Sequence, residues 1–320
     1  MSAILTLVRA IHFAAALQLA GLFAFRLLVA DPALEGVAAD LARDAERPSR
    51  RMRAIAWTAL ATSWISASAW LLLQASAMSA RTPAAVITSG IARKVIEQTQ
   101  VGHTWLLRTG IAMALAGLLA QIRDPPGSSR KALIGACAAS AASVAALVFA
   151  GHAGGTPGIA GSVHRGADAA HLLAAAVWLG GLAPLARLLA MAARVGGDAG
   201  QEVARSATRR FSMLGIASIG VLVASGVVNG WLLVGSFGGL FGSSYGRLLL
   251  GKLALFAGMV GVAATNRLHW LPRLSAGSAA AADAIRALRR NCWVEAALGL
   301  LVLAIVGALG ILPPAAHGGG

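Results

Sequence analysis

Eight long apolar segments restrict the possible fold of this chain more than any other feature. A segment of about 18 or more apolar residues can cross the hydrocarbon core of a bilayer as a helix. Hydrophobic residues make up 58% of the chain and charged residues 12%, whereas a soluble domain has about 45–50% and about 25%. Membrane-spanning strands would show segments of about 10 residues with alternating polarity, and no such pattern is present. We predict an all-α, polytopic transmembrane helix bundle of about eight spans. The predicted spans are residues 4–29, 54–78, 105–122, 132–150, 166–189, 211–234, 245–264 and 293–312.

The loops between these segments predict one membrane domain with a defined orientation. The first, third, fifth and seventh loops, counted with Arg187 at the end of the fifth span, together hold 18 Lys and Arg residues, and the second, fourth and sixth hold 4. Because basic loops stay on the cytoplasmic side, the odd-numbered loops are predicted to be cytoplasmic and both termini to face outward. The same loops explain the formal net charge of +15, which therefore does not indicate nucleic-acid binding. No loop suggests a separate domain, so residues 1–320 are predicted to form a single integral membrane domain.

One stretch near the fifth span carries most of the side chains that could do chemistry. If a helix begins near Val163, then His164, Asp168 and His171 lie at positions i, i+4 and i+7, which share one helix face. Imidazole and carboxylate groups on one face are typical ligands for Cu(II) or Zn(II), and they can also relay protons. This face is the first candidate site.

Three further histidines fall on the outer side of the predicted topology. His103 opens the third span and His152 follows the fourth, while His12 lies about 12 Å inside the first span at 1.5 Å per residue. The depth of His12 is close to that of His171, so we predict a shared metal site. The candidate ligands are His171, Asp168, His152 and His12, with His164 and His103 as capture ligands at the entrance.

The residues alone leave three functions open. The first is metal handling, by an outer site that passes an ion into or across the membrane. The second is a b-type cytochrome, because histidines on neighbouring spans can ligate haem. The third is a membrane scaffold or carrier in which His and Asp relay protons. The sequence shows no hydrolytic triad and no P-loop, so we expect neither an enzyme nor an ATP-driven pump.

The sequence also resembles a known family, the copper resistance protein D (CopD) family. The resemblance lies in Gly151-His152-Ala153, in Asp168 through His171, and in Trp178-Leu179-Gly180-Gly181-Leu182. It continues through Ser225-Gly226-Val227-Val228-Asn229, Tyr245 through Lys252, Asn266-Arg267 and Glu295. These motifs span about residues 151–312, and the first half is similar in hydrophobic layout and in His12.

The resemblance implies a multi-pass protein of the bacterial inner membrane that takes part in copper homeostasis and resistance. It implies that copper moves inward and is delivered by a separate periplasmic copper-binding protein of the CopC type. It carries His152, Asp168 and His171 over as candidate copper ligands. The other three histidines depend on the arguments from depth and spacing.

Overall fold

The eight apolar segments form eight long helices in the computed structural model. The structure describes residues 2–35, 39–122, 130–150 and 158–313, and side chains from residue 50 onward in the second range. No strand occurs in these ranges. The helices are α1 (Ser2–Phe25), α2 (Asp31–Leu34), α3 (Ala39–Ser79), α4 (Pro83–Thr88), α5 (Ile91–Gln98), α6 (Gln100–Gln121), α7 (Arg130–Ala145), α8 (Gly158–Val195), α9 (Gly197–Val234), α10 (Phe237–Gly242), α11 (Ser244–Thr265), α12 (Leu271–Arg273) and α13 (Ser278–Leu309).

All eight predicted spans are confirmed as helices long and apolar enough to cross a membrane. These candidate spans are Ala3–Leu34, Arg50–Ser79, Gln100–Gln121, Arg130–Ala150, Gly158–Val195, Gly197–Val234, Ser244–Arg273 and Ser278–Leu309. Several of them extend well beyond the apolar segments. For example, α9 and α13 begin about fourteen residues earlier than predicted, because the basic segments before them are rich in Ala and Arg, which are good helix formers.

Polar capping residues begin two helices, and a glycine ends a third, on one side of the bundle. We name this side the α4–α5 end, because α4 and α5 connect α3 to α6 there, and the opposite side the α2 end. At the α4–α5 end the Thr99 and Ser243 hydroxyls accept hydrogen bonds from the first turns of α6 and α11. Gly235 ends α9 with a φ of 70°, a conformation that glycine adopts without steric cost.

The centre of the bundle is the crossing of α1 with α8, where two glycines meet. A Cβ atom on Gly180 would lie 2.8 Å from the Gly21 Cα atom, so neither position has room for a side chain. The Gln18 side-chain amide donates a hydrogen bond to the Gly180 carbonyl oxygen across the same crossing, at 3.0 Å. Gly181 likewise allows a close helix contact, since a Cβ on it would strike the Phe211 ring. This contact fixes α8, which carries the candidate site.

Candidate metal site

His171 lies between α8 and α9, and its hydrogen bonds fix which ring nitrogen carries the proton. The Ser225 hydroxyl donates to the Val221 carbonyl oxygen at 2.6 Å, so its own oxygen is left as an acceptor. The His171 Nδ1 atom lies 3.0 Å from that oxygen, and the Leu222 carbonyl is also within hydrogen-bonding reach of the ring. Nδ1 is therefore assigned as the protonated nitrogen, and Nε2 carries the lone pair.

The lone pair on His171 Nε2 faces an ammonium group. The Lys252 Nζ atom of α11 lies 3.5 Å from Nε2 and can donate to it. Lys252 also interacts electrostatically with Asp168, one turn before His171 on α8. The Lys252 ammonium group thus contacts the imidazole nitrogen and lies within electrostatic range of the Asp168 carboxylate, although the two make no direct ion pair.

Asn229 adds an oxygen atom that has no partner. Its Nδ2 atom lies 3.5 Å from Asp168 Oδ1 and donates towards it. Its Oδ1 atom is buried and accepts no hydrogen bond. A buried acceptor without a donor is costly unless a cation or a water supplies the missing contact. The donor set is therefore one imidazole nitrogen, one carboxylate and one amide oxygen, a mixed N and O set that suits Cu(II) or Zn(II).

The sequence brings these groups together through helix periodicity on three helices. Ser225 and Asn229 are four residues apart on α9, and Tyr245 and Lys252 are seven apart on α11, so each pair shares a face. Tyr245 is buried and interacts electrostatically with Asp168. Lys252 lies eight residues into α11, about 12 Å from its start at 1.5 Å per residue. The cluster is thus inside the bundle, in the half nearer the α4–α5 end.

His12 has a separate set of partners on α3 and α6. It is fully buried, and its Nδ1 atom lies 2.9 Å from the Ser63 carbonyl oxygen, to which it donates. Its Nε2 atom faces the Arg108 guanidinium, which also donates to the Ser143 carbonyl oxygen at 3.2 Å. A guanidinium has donors only, so Arg108 occupies the Nε2 lone pair. The described hydrogen bonds of His12 and His171 thus connect them to different helices.

Arg9 provides a second buried positive charge near His12. Its guanidinium lies 4.4 Å from the centre of the Trp70 ring and packs against Gly310, where α13 ends. A cation at the carboxyl end of a helix is stabilised by the helix dipole, and one over an indole ring by its π electrons. Arg9 therefore has a structural explanation that does not need a bound anion.

The remaining predicted ligands lie in different surroundings. His164 is buried on α8, seven residues before His171 and on the same face. His103 is exposed at the start of α6, with Nε2 2.9 Å from the Glu97 carbonyl oxygen. His152 lies outside the described residues. Within the described ranges, no three His, Cys, Asp or Glu side chains lie close enough together to hold a metal ion by themselves.

The site contains residues whose role the sequence did not reveal. Ser225 and Tyr245 belong to the quoted motifs, yet nothing local to them indicates that they face His171 or Asp168. Lys252 gave one usable signal, since a lysine so far inside a span needs a partner or a cavity. An asparagine inside a span, such as Asn229, needs an inter-helix hydrogen bond. The structure shows that bond and adds an unpartnered oxygen, which the sequence does not reveal.

The fold and this cluster define a multi-pass helical membrane protein with a polar, cation-holding site between α8, α9 and α11. Two family models match the chain: Copper resistance protein D at residues 205–309, and Copper resistance protein D-like, N-terminal domain, at residues 1–162. The chain belongs to the copper resistance protein D family, and it is a multi-pass protein of the bacterial inner membrane. The match to its first half goes beyond the motifs visible in the sequence.

Three curated relatives support this assignment. Copper resistance protein D of Pseudomonas syringae pv. tomato is 32% identical over 71% of this chain and 73% of that protein. Inner membrane protein YebZ of Escherichia coli (strain K12) is 34% identical over 79% and 81%. Copper transport protein CutJ of Bacillus subtilis (strain 168) is 28% identical over 70% of this chain but only 39% of that protein. No solved structure matches the chain at a significant level.

Proposed function

We propose that this protein binds copper at the cluster between α8, α9 and α11 and moves it across the inner membrane. The observation that carries the proposal is the fixed tautomer of His171. It presents the Nε2 lone pair on the face of α8 that also carries Asp168, and Asp168 contacts Asn229, whose side-chain oxygen has no partner. The name of one relative, a copper transport protein, and the family itself supply the identity of the ion.

Lys252 takes the place of the transported cation while the site holds no metal. It lies 3.5 Å from the same nitrogen that would bind copper, and it offsets the charge of Asp168. Copper binding therefore requires the ammonium group to move aside, so one positive charge replaces another. This exchange avoids leaving a bare carboxylate inside the membrane, which would be costly.

The remaining predicted histidines would complete the coordination. We keep His152 as the third strong ligand because the family motif includes it, and His164 as a ligand one heptad nearer the α4–α5 end. His103, exposed at that end, would capture the ion first. His12 would contribute only if Arg108 left its Nε2 atom, because both of its ring nitrogens are engaged.

The distribution of basic loops supports a periplasmic position for the α4–α5 end. In that orientation both termini are periplasmic, the site takes up copper from the outer side, and import is the favoured direction. A separate periplasmic protein of the CopC type would deliver the ion. We propose no enzymatic activity for the chain.

Metal analysis of the purified protein tests this function. Copper is titrated into wild type, His171→Ala and His269→Ala, and bound metal is measured by elemental analysis together with an absorption spectrum. His269 is a matched control, since it lies on the π-helical segment after α11, at the α2 end. We expect copper to bind to wild type and His269→Ala and to be lost from His171→Ala. Equal copper in all three proteins, or a haem absorbance band in the wild type, would refute the proposal.

A further inference from the structure

A second buried polar cluster surrounds Glu295 in the half of the bundle nearer the α2 end. Glu295 of α13 is 2% exposed and accepts a hydrogen bond from Asn266 Nδ2 at 2.8 Å. The Trp178 side chain of α8 donates a second hydrogen bond to the carboxylate. Asn291 Nδ2 in turn donates to Asn266 Oδ1 at 2.7 Å. The carboxyl group thus joins α8, the end of α11 and α13.

The partners of this carboxyl group are neutral. Within the described ranges, no ion pair involves Glu295. The charged or titratable groups that share its cavity are Cys292, one turn earlier on α13, and Arg267, which follows α11. Arg267 donates to the Ser212 hydroxyl of α9 at 2.9 Å rather than to Glu295, and α8 contributes Trp178. An ionisable group inside a membrane without a charged partner is expensive and indicates a functional role.

Glu295 borders a cavity with room for water. The cavity has a volume of about 250 Å³ and lies between α8, α9, α11 and α13. A water molecule occupies about 30 Å³ of the liquid, so there is room for water, and the polar groups among the mainly apolar lining, including Ser212 and Asn266 beside Glu295, offer it hydrogen bonds. The Thr208 hydroxyl lines the same cavity, is 4% exposed and has no hydrogen-bond partner. Water in the cavity would satisfy this hydroxyl and reach the carboxyl group.

The backbone at Asn266 supports a functional role for the cluster. Residues Asn266–Trp270 form a π-helical segment directly after α11. Such segments are rare and occur frequently at functional sites. The distortion begins at the residue whose amide holds Glu295, so an irregular helix positions the donor.

The Glu295 cluster is distinct from the His171 cluster. His171 and Trp178 share a face of α8 and are seven residues apart, which is about 10 Å along the helix axis. The Phe256 ring packs edge-on against Trp178, with ring centres 6.0 Å apart, and adds an apolar layer near the indole. A change at Glu295 should therefore leave copper binding at His171 intact.

We propose that Glu295 is a proton-binding site, whose carboxylate takes a proton from a hydronium ion in the cavity, leaving water, and later returns the proton to a water molecule there. The proton moves between a carboxyl oxygen and a water oxygen, with no change in oxidation state. If the protein moves copper as proposed above, this proton would compensate for the charge of the ion in transit. That coupling rests on the proposed function, whereas the proton site itself does not.

Infrared spectroscopy of the purified, copper-free protein tests the site. Difference spectra between pH values, in H₂O and D₂O, are recorded for wild type, Glu295→Gln and Glu202→Gln. Glu202 is a matched control because it is exposed on α9 and paired with Arg205. We expect the wild type and Glu202→Gln to show the carbonyl stretch of a carboxylic acid that changes with pH and shifts in D₂O. That band should be absent from Glu295→Gln. Identical spectra for wild type and Glu295→Gln, or a band that does not shift in D₂O, would overturn the proposal.

A second variant covers the case in which Glu295→Gln does not fold. Asn266→Ala keeps the carboxyl group and removes one of its donors, so the carbonyl stretch should move to a different frequency. An unmoved band contradicts the assignment to Glu295. Copper titration of the same samples keeps the two proposals separable. If the wild type bound no copper, that result would contradict the proposed function but not the proton site at Glu295.

Discussion

Replacing Lys252 by leucine should strengthen copper binding, which is the opposite of what removing a ligand would do. In the structure the Lys252 ammonium group faces the nitrogen that copper would use, with 3.5 Å between Nζ and His171 Nε2. The Lys252→Leu variant removes this competitor and keeps a side chain of similar bulk. It also leaves Asp168 without its cation, so an incoming metal ion gains the full interaction with the carboxylate.

The size of the effect follows from the contact that copper must break. A hydrogen bond to a charged group contributes about 1.5–3 kcal/mol. The long distance between Lys252 Nζ and His171 Nε2 favours the lower value. Because about 1.4 kcal/mol corresponds to a factor of ten in affinity, Lys252→Leu should bind copper about tenfold more tightly. Repulsion between copper and a displaced ammonium that stays nearby, about 4 kcal/mol for each unit charge of the ion at about 4 Å and a dielectric constant of about 20, would enlarge the effect.

Competition against a coloured copper chelator in detergent solution measures this change. Lys94→Leu is the control, because Lys94 is exposed on α5 at the same end of the bundle. Its affinity should equal that of the wild type, and Lys252→Arg, which keeps a positive charge, should gain nothing. If folded Lys252→Leu bound copper no more tightly than the wild type, Lys252 would not be standing in for the ion.

Three further outcomes follow from the structure. Ser225→Ala should weaken copper binding about tenfold or more in the same competition assay, because the hydroxyl orients the His171 ring and fixes its tautomer; an unchanged affinity would contradict that role. Gly180→Ala should lower the free energy of unfolding by about 1–3 kcal/mol in thermal melts, since its Cβ meets the α1 backbone. The matched Gly117→Ala, where a Cβ meets nothing, should not lower it, and equal losses would disprove the packing argument. Copper affinity should fall as the pH is lowered, because protons compete with copper for the imidazole and carboxylate ligands, and a flat profile would argue against ligation by these groups.

The spans could be predicted from sequence because hydropathy is a local property. A helix in lipid makes all of its backbone hydrogen bonds internally, so the length and apolar content of a segment predict whether it spans the membrane, almost independently of the neighbouring helices. The helix ends were harder, because the basic stretches before α9 and α13 are good helix formers outside the apolar segments. At the α2 end, the ends of the apolar segments and the ends of the helices therefore differ by several helical turns.

The candidate site could be predicted only where one helix supplies it. Periodicity placed Asp168 and His171 together, since both lie on α8 within one turn. Their partners Ser225 and Lys252 come from α9 and α11, and the rotation of those helices about their axes has no local signal. The depth of His12 similarly could not indicate that α3 and α6 engage its two nitrogens. Two residues at the same depth in the membrane form a shared site only if their helices are also neighbours and are rotated so that both side chains face each other.

The bond lengths in the two clusters suit two different kinds of exchange. In the His171 cluster both contacts that hold a cation or its carboxylate, Lys252 to His171 and Asn229 to Asp168, measure 3.5 Å. Such long contacts cost little to break, which is what the replacement of an ammonium group by a metal ion requires. Around Glu295 the contacts measure 2.7 and 2.8 Å, which hold the heavy atoms in place. A proton can leave or join a carboxyl group held in this way without any side chain moving. Under the two proposals, the long contacts lie where an ion would be exchanged and the short contacts lie where only a proton would move.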